Sequence, residues 1–317
     1  MNPLNTIEDA VERIAPHIRH TEVSYFPEQD IYIKWENHQV TGSFKVRGAL
    51  NKILCLPDEE RACGLVAASA GNHGQGVAFA ANLVGAKTVI FTSDYASPMK
   101  IDAMKALGAD VQLVDGGYGE AEKAGLAYAR ENHQTWVSPY NDIQIVTGQA
   151  TLGFELWRDL PPLRECTWVV PVGGGGLISG IGASLENYRP KPKLIGVQSE
   201  ASPFFNAIYK TGTQKDVVEL DSLADGLAGP VEEGSLTIAM VEKFVDDFVL
   251  VSENEIARAI AFSWNQYAER IEGSAATALA AVLFRKIHYR PAVVIISGGN
   301  IQENVLQNVV EQNNVLP

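Results

Sequence analysis

Short runs rich in Val, Ile and Ala recur along this chain, and most lead through a turn into a stretch with helical periodicity. GLVAAS (64–69) runs into AGNHGQG, TWVVPV (167–172) into GGGG, and AVVIIS (292–297) into GGN. Runs without polar alternation bury both faces of a strand, as in parallel sheets covered by helices. Further strands are expected at IYIKWE (31–36), KTVIFT (87–92), DVQLV (110–114), TWVS (135–138), KLIGVQ (193–198) and FVLVS (248–252). Helices are expected over 6–15, from the GNHG turn through Leu83, over 100–107, 119–132, 143–159 and 177–188, after Ser252, and over 274–287. Two begin with capping-box spacing, Thr6 with Asp9 and Ser252 with Glu255. Residues 200–245 read as a helix, a loop and the tripeptide ADG (224–226). This rhythm predicts an α/β chain with two lobes of parallel-rich, twisted sheet flanked by helices. Ligands are then expected at the carboxyl ends of the strands.

The 317 residues allow two domains or one large α/β unit. A net charge of −13, with the charges scattered, argues against nucleic acid as a partner, because phosphate binding needs clustered Lys and Arg. Cys55, Cys63 and Cys166 form neither a CxxC pair nor an even set, so reduced, packed thiols are expected. The N-terminus lacks a signal-peptide pattern and no apolar run reaches membrane-spanning length. The expectation is a cytoplasmic protein without a membrane partner.

Four turns could carry chemistry. TGSFKVRGA (41–49) offers Lys45 beside Phe44. A desolvated lysine can form a Schiff base with a carbonyl cofactor, and the plain alternative is a surface lysine near a turn. SAGNHGQG (69–76) exposes backbone N–H groups at a helix start, where an anion can bind. His73 in that turn is more simply a structural residue. GGGG (173–176) is costly in backbone entropy, and a nest of N–H donors for a phosphate accounts for that cost better than a flexible turn does. It is neither a Walker A loop nor a GxGxxG fingerprint. SGGN (297–300) adds the Ser297 hydroxyl. Together they offer a lysine, a phosphate nest and two polar loops, a set that suits a phosphorylated aldehyde cofactor.

In order and spacing, SFKVRGA, SAGNHGQG, GGGGL and SGGN resemble the signature loops of fold type II pyridoxal phosphate (PLP) enzymes, the tryptophan synthase β-like arrangement. The most similar branch is the threonine/serine dehydratase and serine racemase group. The resemblance implies a large PLP-binding domain of residues 1–50 plus 143–317, a small domain of 51–142, and a homodimer or higher homo-oligomer. It implies that Lys45 holds the cofactor and moves the substrate Cα proton. Phe44 would pack on the ring, Asn72 would meet the 3′-hydroxyl, and Gly173, Gly174, Gly175, Gly176 and Leu177 would hold the phosphate. Ser297 would face the pyridine nitrogen. Ser69, Ala70, Gly71, Asn72 and His73 would bind the substrate carboxylate, with Ser69 also counted among the catalytic residues. The implied activity is α,β-elimination from L-threonine or L-serine, giving a 2-keto acid and ammonia.

Three positions refine that picture. Racemases of this group carry a serine where this chain has Ala70, and alanine cannot move a proton. Relatives often bind Mg²⁺ or Ca²⁺ through a glutamate, a carbonyl and an aspartate. The corresponding residues here are Glu200, Phe204 and Asn206, and the amide gives up a charge that hard cations favour. No regulatory domain is expected after the SGGN loop. Other substrates stay open: 3-hydroxyaspartate, phenylserine or a hydroxyectoine-derived amino acid. So do serine racemisation, β-replacement (whose enzymes usually read TSGNTG at the asparagine turn) and a non-catalytic PLP-binding protein.

Overall fold

The computed structural model describes residues 6–288 and 291–313. Its strands are β1 (Val23–Phe26), β2 (Ile31–Trp35), β3 (Leu65–Ala68), β4 (Thr88–Ser93), β5 (Asp110–Val114), β6 (Thr135–Trp136), β7 (Thr167–Pro171), β8 (Lys193–Ser199), β9 (Asp247–Val251) and β10 (Ala292–Ile296). They form a six-stranded sheet in the order β1-β2-β10-β7-β8-β9 and a four-stranded sheet in the order β5-β4-β3-β6. Every pairing is parallel except β1 with β2. The smaller sheet is an excursion between β2 and β7. The α/β class and its flanking helices match the expectation.

Burial explains the sequence pattern. Every residue of β3, β7 and β10 is buried, so those strands read as unbroken apolar runs. The edge strand β5 buries none of its residues, and charged and polar side chains interrupt its run. Helix Gly273–Leu283 lies on one face of the large sheet, in a core with Ile31, Ile33, Val294 and Ile296. On the other face, Leu177, Ile178 and Ile181 of helix Gly176–Ser184 pack with Trp168, Val293 and Ile295.

Both capping boxes are present, at Thr6–Asp9 and Ser252–Glu255. The structure changes several boundaries. Helix 177–188 stops at Ser184, and helix 274–287 stops at Leu283, shortly before Arg285 at φ 58°. The helix after Ser252 ends at Phe262 and passes into a wide π turn, Ser263–Tyr267, closed by Ala268 in the left-handed region. The 41–49 segment is more than a turn, because Lys45 begins the helix Lys45–Cys55. Residues 200–245 hold two helices, Phe204–Thr211 and Leu236–Phe244, rather than one.

Helix Lys45–Cys55 is tied down by charge. The Arg47 guanidinium bonds Glu36 at 2.8 Å and Glu155 at 2.7 Å. Lys34 reaches Glu155 at 3.1 Å, and the Thr21 hydroxyl donates to Glu36 at 2.5 Å. All five residues are buried, and the two cations balance the two carboxylates. Burial alone would raise the Glu155 carboxyl, but Arg47 and Lys34 draw it down to about 2. This network joins the lysine-bearing helix to the end of β2 and to helix Ile143–Asp159.

Candidate active site

Lys45 is partly buried at the start of its helix, with Nζ donating to the Pro139 carbonyl at 3.0 Å. Nζ also lies 5.5 Å from the centre of the Phe44 ring. Burial pulls its ammonium down to about 8, against the opposing charge of Glu272. The Phe44 N–H donates to the Ser297 carbonyl at 3.0 Å, and Ser43 bridges Gly298. The SFK and SGGN segments therefore lie side by side, with Ser297 buried.

The asparagine turn meets them from the smaller sheet. Asn72 is the first residue of helix Asn72–Leu83, and no side chain caps that helix. Its Nδ2 donates to Glu272 at 2.6 Å, and its Oδ1 accepts from Asn300 at 2.7 Å. Ser69 Oγ accepts from the Gly71 N–H at 3.0 Å, so its own hydrogen stays available to a ligand. Ala70 is exposed. His73 Nε2 contacts the Val137 carbonyl at 2.9 Å, and only a protonated Nε2 can donate there. Burial, with Lys45 nearby, lowers its imidazolium to about 3. The ring is neutral and fixed, as the structural reading of His73 requires.

The glycine loop joins the group through its neighbours. Tyr140 follows Pro139, and a Cβ on Gly174 would stand 2.3 Å from the Tyr140 ring. Gly175 has φ +83°, where a side chain would be strained. No side chain caps the helix that begins at Gly176, so its first-turn N–H groups face the loop without a side-chain acceptor. Thr237 Oγ1 donates to the Gly174 carbonyl at 2.8 Å and steadies the loop. A tight loop of uncapped amides fits a phosphate, and a partly desolvated lysine with no carboxylate bonded to Nζ fits an aldehyde.

Glu200, Phe204 and Asn206 lie together after β8, but their surroundings suit a hard cation poorly. They offer a single carboxylate, and the Lys286 ammonium stands 3.9 Å from it, bonded to Glu255 and the Leu250 carbonyl at 2.9 Å each. Among the described residues no three His, Cys, Asp or Glu side chains cluster as metal ligands. Sequence reasoning missed Tyr140, Thr237 and Glu272.

Comparison with known proteins gives consistent results. The sequence profile of the pyridoxal-phosphate dependent enzymes matches residues 10–298. An L-threonine ammonia-lyase of Thermotoga maritima is 43% identical over 284 residues, which cover 89% of this chain and 70% of the relative. The processed threonine deaminase isoform 2 of Solanum lycopersicum superimposes with a TM-score of 0.87 at 30% identity, covering 98% of this chain and 94% of that one. Maize serine racemase superimposes with a TM-score of 0.87 at 29% identity, covering 97% and 96%.

Proposed function

We propose that this chain, which belongs to the pyridoxal-phosphate dependent enzyme family, removes water and then ammonia from L-threonine, and from L-serine as a second substrate. The observation that carries the reading is Lys45, a partly desolvated amine lowered to about 8, set among a phosphate-type loop and two polar turns. The relatives named for threonine ammonia-lyase and deaminase activity support threonine as the substrate.

Each site residue has a task under this reading. The loop Gly173, Gly174, Gly175, Gly176 and Leu177 would hold the cofactor phosphate, Asn72 would donate to its 3′-oxygen, Ser297 would face its pyridine nitrogen, and Phe44 would back the ring. Bound there, PLP would supply an electron sink for the pair left when the Cα–H bond breaks. Lys45, with its amine free, would take the Cα proton. The Ser69 hydroxyl and the backbone N–H groups of Ala70, Asn72 and His73 would receive the substrate carboxylate, while the Gly71 N–H holds the Ser69 oxygen. The β-hydroxyl would leave as water, taking up one proton for the one that Lys45 removes from Cα, and the unsaturated amine released would hydrolyse to a 2-keto acid and ammonia.

Ala70 has no proton to give and His73 is locked on Val137, which favours elimination over racemisation. Residues 1–50 with 143–317 would form the large cofactor-binding domain and 51–142 the small domain. Among the described residues no helix is long and apolar enough to cross a membrane. Three unpaired cysteines support a reducing compartment, the cytoplasm. The homodimer rests on the resemblance alone and is checked by light scattering.

The test is 2-keto acid release from purified, PLP-loaded protein given L-threonine, L-serine and 3-hydroxyaspartate side by side. Threonine is expected to turn over fastest. Protein that shows the visible cofactor band yet turns over none of the three would overturn the proposal.

A further inference from the structure

The side chain of Asn72 has no freedom to turn over. The Thr41 carbonyl can only accept, so Asn300 must present Nδ2 to it at 3.0 Å. The same Nδ2 donates its other hydrogen to Asn72 Oδ1 at 2.7 Å. That leaves the Asn72 amino group facing Glu272, which accepts one N–H at 2.6 Å. One N–H of Asn72 remains for a ligand. Glu272 projects from the cap position of helix Gly273–Leu283 and is 6% exposed, so its bond to Asn72 is shielded from water.

We propose that Glu272 is a positioning residue for the reaction, fixing which edge of the Asn72 amide faces the cofactor and setting, through its charge, how strongly that edge donates. The inference rests on the reading that PLP is held at Lys45. Accepting from one N–H of an amide pushes electron density onto the nitrogen and weakens its second N–H. A neutral carboxyl does this less than a carboxylate.

The surroundings of Glu272 make that charge variable near neutrality. Burial pushes the carboxyl up to about 7; Asp225 adds to the rise, while Lys100 and the bonds from Asn72 and Asn300 oppose it. Several charged groups face it or flank it. Lys45 comes from its own helix, and Lys100 and Asp225 pair at 2.7 Å across a cavity of about 160 Å³ that Glu272 also lines. Arg270, two residues earlier, is paired with Glu303 at 2.9 Å, and Glu269 is bonded to His38 at 2.8 Å. On the Asn72 helix, His73 stays neutral through this range.

The experiment follows the visible cofactor band of the loaded protein from pH 6 to 9, in the wild type and three variants, with cofactor affinity measured on apo-protein. The wild-type band should change with a midpoint near neutrality. Glu272→Gln keeps an acceptor for Asn72 but cannot ionise, so this transition should vanish. Lys100→Met should raise the midpoint and Asp225→Asn lower it, each by about half a pH unit or more. A merely structural Glu272 would leave the midpoint unmoved by Lys100 and Asp225. A band independent of pH in the wild type, or an unchanged midpoint in all three variants, would overturn the inference. Wild-type protein that binds no PLP, and so shows no band, would overturn the cofactor reading and this inference with it.

Discussion

Arg47→Met is the perturbation whose cost can be worked most directly from the structure. Arg47 is 0% exposed and bonded to two buried carboxylates, Glu36 and Glu155. Removing one partner of a buried ion pair costs about 3–5 kcal/mol, because the remaining charge is left uncompensated. Glu155 gives a second route to the magnitude. Its carboxyl lies at about 2 against an ordinary 4.5, and at ~1.4 kcal/mol per unit that is about 3 kcal/mol for one carboxylate. A chain of this length should then lose roughly 4–8 °C of Tm.

The sign of the pH dependence sharpens the test. In the wild type, a depressed carboxyl stabilises the fold above pH 4.5, and that stability is lost as pH falls towards about 2. Without Arg47 only Lys34 opposes the effect of burial on Glu155, whose carboxyl then rises, so the deficit of the variant should shrink between pH 7 and pH 5. Urea unfolding of wild type and variant at both pH values measures it. A variant within about 1 kcal/mol of wild type at pH 7, or a deficit that grows on acidification, would refute the reasoning.

Other outcomes follow from the site. The neutral fraction of Lys45 rises from about a tenth at pH 7 to half at about pH 8. Capture of PLP by apo-protein, followed by stopped-flow absorbance, should therefore quicken about fivefold over that step and then level off. Gly174→Ala puts a Cβ 2.3 Å from the Tyr140 ring; fluorescence titration should show PLP affinity weakened roughly tenfold or more by the displaced loop. Under the proposed reading, Ala70→Ser would supply a second proton carrier beside the substrate, so chiral chromatography should detect D-serine that the wild type does not form. With Lys286 beside Glu200, adding Mg²⁺, Ca²⁺ or EDTA should leave Tm unchanged.

The readable parts of the fold were those where local chemistry and burial agreed. Helix 143–159 was legible at both ends, because Asp142 caps its start and two prolines follow its end. The strands β3, β7 and β10 stood out because both their faces are covered. The helix after Phe44 was not legible. It begins without a side-chain cap and contains Gly48, a poor helix former, which is there because a Cβ would collide with Gln149 of the neighbouring helix. Lys45, Asn72 and the glycine loop could be found because each carries an unusual local pattern. Glu272 and Tyr140 matter through partners far away in sequence: Glu272 lies 200 residues from Asn72, and no local pattern reveals such a partner.

The order of strands in the large sheet has a temporal side. β2 pairs with β10, Ile31 with Ala292 through Trp35 with Ile296, so this strand waits for the last one to be made. The Phe44 N–H likewise finds its acceptor only at Ser297. A nascent chain short of these residues cannot complete the wall around Lys45, whose amine then behaves as an ordinary, largely protonated surface lysine. Reactivity towards an aldehyde is thus withheld during synthesis and switched on by closure of the sheet. Uptake of the cofactor becomes a report that the chain has finished folding.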